Sequence, residues 1–170
     1  MAKRILFPFG AVLAILLVMA GCGKPEEGMN ELTLKQLEEK LENHETFLLL
    51  TFAADEKDVK DTRMIEAADD SLRRAGLTGY YTNLKGESDK TIEGLTEKYT
   101  HPKAGSWDPS GEGLVLVEKG GITDIGGGIV DEERIKQRKD EKEPFESDYF
   151  DGAVKDILEY SQFYNIELTN

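Results

Sequence analysis

Phe47-Leu48-Leu49-Leu50-Thr51-Phe52-Ala53 is an apolar run interrupted by a single threonine. Successive side chains of a strand point to opposite faces, so a continuous apolar run of strand length is apolar on both. Such a strand needs cover above and below, which is the place of a central strand in an α/β sheet. This segment does more than any other to limit the architectures open to the chain.

Helical patterns flank it. Thr33 and Gln36 have capping-box spacing, and Leu34, Leu37 and Leu41 follow on one face, predicting a first helix to about Asn43. Asp55 to Asp61 reads as a charged loop. Ile65, Ala68, Leu72 and Ala75 predict a second helix over 62–75, with Gly76 at the C′ position. Gly79 to Leu84 reads as a second strand. Ser88 suits the cap of a short helix carrying Ile92, Leu95 and Tyr99.

A Gly- and Pro-containing loop spans His101 to Gly113. Leu114 to Val117 and Ile122 to Ile125, joined through Lys119-Gly120-Gly121, read as an antiparallel hairpin. Gly126-Gly127-Gly128 reads as a bulged strand end, since no phosphate-loop Lys-Ser/Thr follows it. Asp131 caps a charged helix over 132–143. Ser147 or Asp148 caps a last one bearing Phe150, Val154, Ile157, Leu158 and Ser161. A helical crossover between the first two strands makes them parallel, with right-handed connection. The expectation is a mixed central sheet of about four strands with helices on both faces.

The chain has 170 residues, 21 Lys+Arg, 34 Asp+Glu and a net charge of -13. That balance argues against a nucleic-acid partner, because phosphate contacts need clustered cations, and against electrostatic docking on anionic lipid. Cationic or uncharged partners fit it, as does a charge that serves only solubility.

The N-terminus has its own logic. Lys3 and Arg4 precede an apolar stretch from Ile5 to Val18 that closes on Met19-Ala20-Gly21-Cys22. The layout is that of a secretory signal over 1–21, shorter than a spanning helix. Its ending resembles a bacterial lipobox, with Met19 where Leu is usual. The resemblance implies cleavage after Gly21 and acylation, including palmitate, of Cys22; an ordinary signal with an incidental cysteine is the other account. Residues 22–30 then form the lipidated cysteine and a flexible tether, and 31–170 one domain of a size that builds a real core. Loss of Lys3 and Arg4 with the signal makes the mature chain two units more negative than -13. Cys22 is the one cysteine, so the domain has no free thiol once it is acylated.

From Leu32 to about Lys139 the chain resembles the thioredoxin family. The central strand running into a loop at 47–54, the hairpin Leu114-Val115-Leu116-Val117-Glu118-Lys119-Gly120-Gly121-Ile122, and Gly127-Gly128 before Ile129-Val130-Asp131 and a helix carry the resemblance. It implies an α/β thioredoxin-like fold with an extra C-terminal helix. The family's Cys-X-X-Cys window falls in Asp55 to Thr62, which holds neither cysteine nor serine. The residue matching its cis-proline is near Glu112. Thiol exchange needs sulfur, so the redox activity does not carry over.

Other chemistry lacks support. His44 and His101 have no metal-ligand spacing; His44 suits the C-terminal end of the first helix. Asp55, Glu56, Asp58 and Asp61 admit calcium in principle, but Lys57 and Lys60 interrupt them and no EF-hand order is present. Gly105-Ser106-Trp107 is not a nucleophile elbow. Tyr80, Tyr81, Tyr99, Trp107 and Tyr149 are candidates for an exposed aromatic site; Trp107 either anchors a partner or folds onto the core.

The expectation is therefore no enzyme and no cofactor. The chain reads as a bacterial, extracytoplasmic lipoprotein, held to the cell membrane through acylated Cys22 and acting as a binding or accessory module for an envelope protein or peptide. Its expected binding face is the edge formed by Asp55, Glu56, Lys57, Asp58, Trp107 and Glu112. The alternative is an accessory of a thiol–disulfide, secretion or conjugation system that uses its partner's thiols.

Overall fold

The computed structural model describes residues 26–105 and 107–168; the signal, Cys22 and the first tether residues lie outside them. The element order is β1 (Gly28–Glu31), α1 (Leu34–Glu42), β2 (Phe47–Phe52), α2 (Glu56–Asp61), α3 (Met64–Ala75), β3 (Thr78–Asn83), α4 (Asp89–Tyr99), β4 (Leu114–Glu118), β5 (Gly121–Gly127), α5 (Glu132–Glu141) and α6 (Asp148–Tyr164).

The strands form one open α/β sheet in the order β1-β3-β2-β4-β5. β1, β3 and β2 run parallel, while β4 and β5 are antiparallel additions. β2 is central, and each of its residues is buried. Its alternation splits the core. Leu48, Leu50 and Phe52 join α3 and α6 on one face, with Met64, Leu72, Phe150 and Ile157. Phe47 and Leu49 join α1 and α4 on the other, with Leu37, Leu41, Leu95 and Tyr99. Helices therefore cover both faces.

Two expectations need correction. The sheet has five strands, not about four, because Gly28–Glu31, which begins inside the expected tether and runs one residue past it, pairs with β3. Gly-Met-Asn-Glu carries no apolar alternation; Met29 alone packs against the core, and backbone and polar contacts hold the rest. The Gly28 N–H donates to the Leu77 carbonyl at 2.9 Å, and the Met29 N–H to Asp69 Oδ1 at 2.7 Å. The expected loop at 55–61 also contains α2. Glu56 and Asp58 in its first turn and Lys60 in its last suit the helix dipole, and Val59 is buried beneath it.

Local signals hold elsewhere. Thr33 and Gln36 form a reciprocal capping box before α1, and Gly76 ends α3 at φ +67°. His44 follows α1 at φ +57°, with Nδ1 3.2 Å from the Lys119 carbonyl oxygen. Ser88 and Asp131 cap α4 and α5 through their side chains. Ser147 precedes α6 without a capping bond, and its hydroxyl accepts instead from Arg74 at 2.6 Å. The glycine run after Ile125 completes β5. Pairs Val115–Gly126 and Val117–Ile122 mark a bulge, and a Cβ at Gly126 (φ +134°) would collide with the Leu114 carbonyl.

Candidate functional site

The carboxyl end of β2 is where the candidate residues converge. Beyond Phe52 the chain leaves the sheet at Ala53-Ala54 and enters α2 at Asp55. The exit is clamped from two sides. The Asn83 side chain, at the end of β3, donates through Nδ2 to the Ala54 carbonyl at 2.9 Å and accepts from the Ala54 N–H at 3.3 Å. The Ala53 N–H donates to the Ser110 carbonyl at 3.3 Å, drawing the 108–113 loop to the same end of the sheet. The Val130 N–H in turn donates to the Gly111 carbonyl at 2.8 Å, bringing up the approach to α5. Between these segments lies a shallow cleft of about 800 Å³ lined by Ala53, Ser110, Asp131, Glu132 and Lys136, among others.

Its charges form two linked groups. Lys85 Nζ lies 2.8 Å from Glu132 Oε1 and 4.0 Å from Asp55 Oδ1, and Lys136 reaches the same Glu132 oxygen at 2.8 Å. Hydrogen bonds from Lys136 and then Lys85 hold the Glu132 carboxyl down to about 2. Lys85 is raised above its ordinary value, chiefly by its bond to Glu132. Deeper in, Asp58 is buried and pairs with Lys139 of α5; the bond raises the lysine above its ordinary value. This pair links the turn after β2 to α5.

The expected binding residues divide accordingly. Asp55, Glu56 and Lys57 are exposed around the entry to α2. Asp58 lies beneath them and is engaged with Lys139, so it is a strut rather than a contact surface. Glu112 is half-buried in the 108–113 loop and accepts the Asp108 N–H at 2.7 Å. Burial pushes its carboxyl up, the Asp108 and Asp124 charges add to the push, and the Asp108 bond opposes it.

Trp107 is not an exposed anchor. It is 2% exposed and packs with Leu32, Leu37, Leu49 and Leu95. An indole has more to gain from that apolar pocket than from water. Its N–H meets no acceptor among the described residues. Tyr80 and Tyr99 are buried too, so the expected exposed aromatic site does not assemble there.

Sequence reasoning missed Asn83, Lys85, Glu132 and Lys139. Lys85 and Glu132 sit next to recognisable helix-start signals at Ser88 and Asp131, but nothing local indicates that they meet. Chemically, the site offers ion pairs in which Glu132 is held below its ordinary value and Lys85 and Lys139 above theirs. A general acid or base works best near the operating pH, so Glu132 and Lys85 suit contact rather than proton transfer. Among the described residues, no group of three or more His, Cys, Asp or Glu is arranged to hold a metal, and no helix is long and apolar enough to cross a membrane.

The chain matches no protein-family model, no curated protein and no solved structure.

Proposed function

We propose that this protein is an extracytoplasmic lipoprotein whose thioredoxin-like domain serves, without catalysis, as a binding module for an envelope protein or peptide, tethered to the membrane through acylated Cys22. The observation that carries the reading is the junction of β2 and α2. β2 is the buried central strand, parallel to β3 and antiparallel to the β4–β5 hairpin, and it delivers the chain into a helix entry made of Asp55, Glu56 and Lys57. The three segments on which the thioredoxin resemblance rests thus occupy a central strand, a late hairpin and a turn into a helix. The position where that family carries sulfur holds exposed charge, fixed on a scaffold clamped by Asn83 and Lys139. An edge that carries both signs of charge on a clamped scaffold suits recognition of a partner chain.

Two measurements test the reading. In a bacterial host, a fatty-acid probe labels the wild-type protein and not Cys22→Ser, which leaves the membrane fraction. A photo-crosslinking residue at Lys57 captures an envelope protein, while one at exposed Glu93 on α4 does not. Reduction of insulin disulfides by the purified protein would overturn the non-catalytic assignment. An unlabelled Cys22 would overturn the anchor.

A further inference from the structure

A second surface lies well away from the β2–α2 junction. α6 buries Phe150, Val154 and Ile157 against the core, yet its last turn turns two rings outward. Phe163 is 79% and Tyr164 57% exposed. Both touch one another, with centroids 4.9 Å apart, and Tyr160 packs on Tyr164 at 4.6 Å. An aromatic side chain carries roughly 150–250 Å² of largely apolar surface, and a cluster of exposed rings is a usual feature of contact sites.

The surroundings specify the chemistry of the contact. Between the rings and β5 lies a cleft of about 390 Å³, and its wall includes Asp124, Asp156 and Glu159 but no lysine or arginine. Lys155, which reaches Glu159 at 3.7 Å, lines the neighbouring groove instead. The cations stacked on rings among the described residues are Lys40, Lys98 and Arg138, each over rings elsewhere in the fold. The Tyr160 hydroxyl is pushed up chiefly by burial, with the Glu118 and Asp124 carboxylates adding to the push. Aromatic faces beside carboxylates accept a cation twice over, through the ring quadrupole and through ion pairing.

Position selects the occupant. β1 and β5 are the opposite edges of the sheet, four strand spacings or about 19 Å apart. On the anchored reading proposed above, the chain is held from the side of β1, so the cleft lies at the opposite edge of the sheet. Anionic headgroups and a second copy of the same acidic surface are both repelled.

We propose that the cleft between the last turn of α6 and β5 is a docking site for a basic segment of a partner polypeptide, with an arginine or lysine lying on Phe163 and Tyr164 and paired with Asp124, Asp156 or Glu159. This site is independent of the β2–α2 edge.

The test is fluorescence anisotropy of a labelled hexa-arginine peptide with the purified full chain in neutral detergent. Phe163→Ala/Tyr164→Ala raises Kd at least tenfold, as does Asp156→Asn/Glu159→Gln. Glu93→Gln/Glu97→Gln, which removes the same charge from α4, changes it less than threefold. Hexaglutamate does not bind. Thermal melting of the ring variant matches the wild type, since both side chains are exposed. Equal weakening by the α4 control would reduce the effect to net charge and overturn the site. An unaffected Kd in the ring variant would do the same. Binding to phosphatidylglycerol vesicles that Phe163→Ala abolishes, or self-association that it abolishes, would assign the rings to lipid or to a second copy and overturn the polypeptide partner.

Discussion

Asn83 holds both backbone groups of Ala54, donating to its carbonyl at 2.9 Å and accepting from its N–H at 3.3 Å. Ala54 is the residue at which the chain has left the central strand and not yet entered α2, so neither sheet nor helix satisfies it. It is 1% exposed, and a buried backbone pair without partners is costly. Asn83 also accepts the Lys85 N–H at 3.0 Å, fixing the loop that carries Lys85 to Glu132. Asn83→Ala therefore destabilises the domain by about 1–3 kcal/mol. Urea denaturation measures this as a lower midpoint at unchanged slope. A midpoint equal to wild type would show that water replaces the amide without loss.

The Asp58–Lys139 pair joins α2 to α5 across the chain. The Asp58 side chain is 11% exposed and that of Lys139 is 35% exposed, which places the pair between a surface and a buried ion pair. Removing Lys139 leaves a mostly buried carboxylate without its cation; removing both ends leaves no such charge. A double-mutant cycle with Asp58→Asn and Lys139→Met should give a coupling energy of about 1 kcal/mol, with Lys139→Met alone the more damaging of Lys139→Met and the double variant. Additive losses would dismiss the strut.

Which parts of this architecture the sequence discloses follows from the range of the contacts. The capping box at Thr33 and Gln36, the αL stop at Gly76 and the two-faced apolar run of β2 are local or periodic, and each is legible. β1 is not, because Gly-Met-Asn-Glu has no pattern and its Met29 N–H is satisfied by Asp69, 40 residues on. α2 is masked for a related reason: only Val59 and Asp58 in it are buried, so its composition looks like a solvated loop. The site is less legible still. Asn83 meets Ala54 across 29 positions and Asp58 meets Lys139 across 81, separations that periodicity cannot register. Asp55, Glu56 and Lys57 can be singled out as candidates because they follow a strand that is itself legible.

Glu132 makes the domain sensitive to acid. Two lysines hold its carboxyl at about 2, against an ordinary value of 4.5. Between those values the unfolded chain binds a proton at this position that the folded chain does not, so stability rises with pH there. The contribution is fully present above about 4.5 and is lost as pH falls toward about 2. Thermal melts from pH 5 to pH 2 should show a steeper decline for the wild type than for Glu132→Gln, with the two curves drawing together in acid. Parallel curves across that range would show that the lysines leave Glu132 unperturbed.

Trp107 is the single tryptophan, so it reports its own surroundings. At 2% exposure, among Leu32, Leu37, Leu49 and Leu95, it belongs to the α1–α4 face of the core. Its emission in the folded protein should be blue-shifted and resistant to acrylamide, moving to the red with full quenching in denaturant. Trp107→Ala empties a large buried volume and costs about 3–5 kcal/mol, whereas Trp107→Phe costs less because most of the packing surface stays. An anchor lying in solvent would instead emit red in the folded state, quench freely, and tolerate alanine with no loss of stability. The same two variants separate packing from partner contact: if the core role is correct, Trp107→Phe captures partner from the Lys57 crosslinking position as well as wild type does.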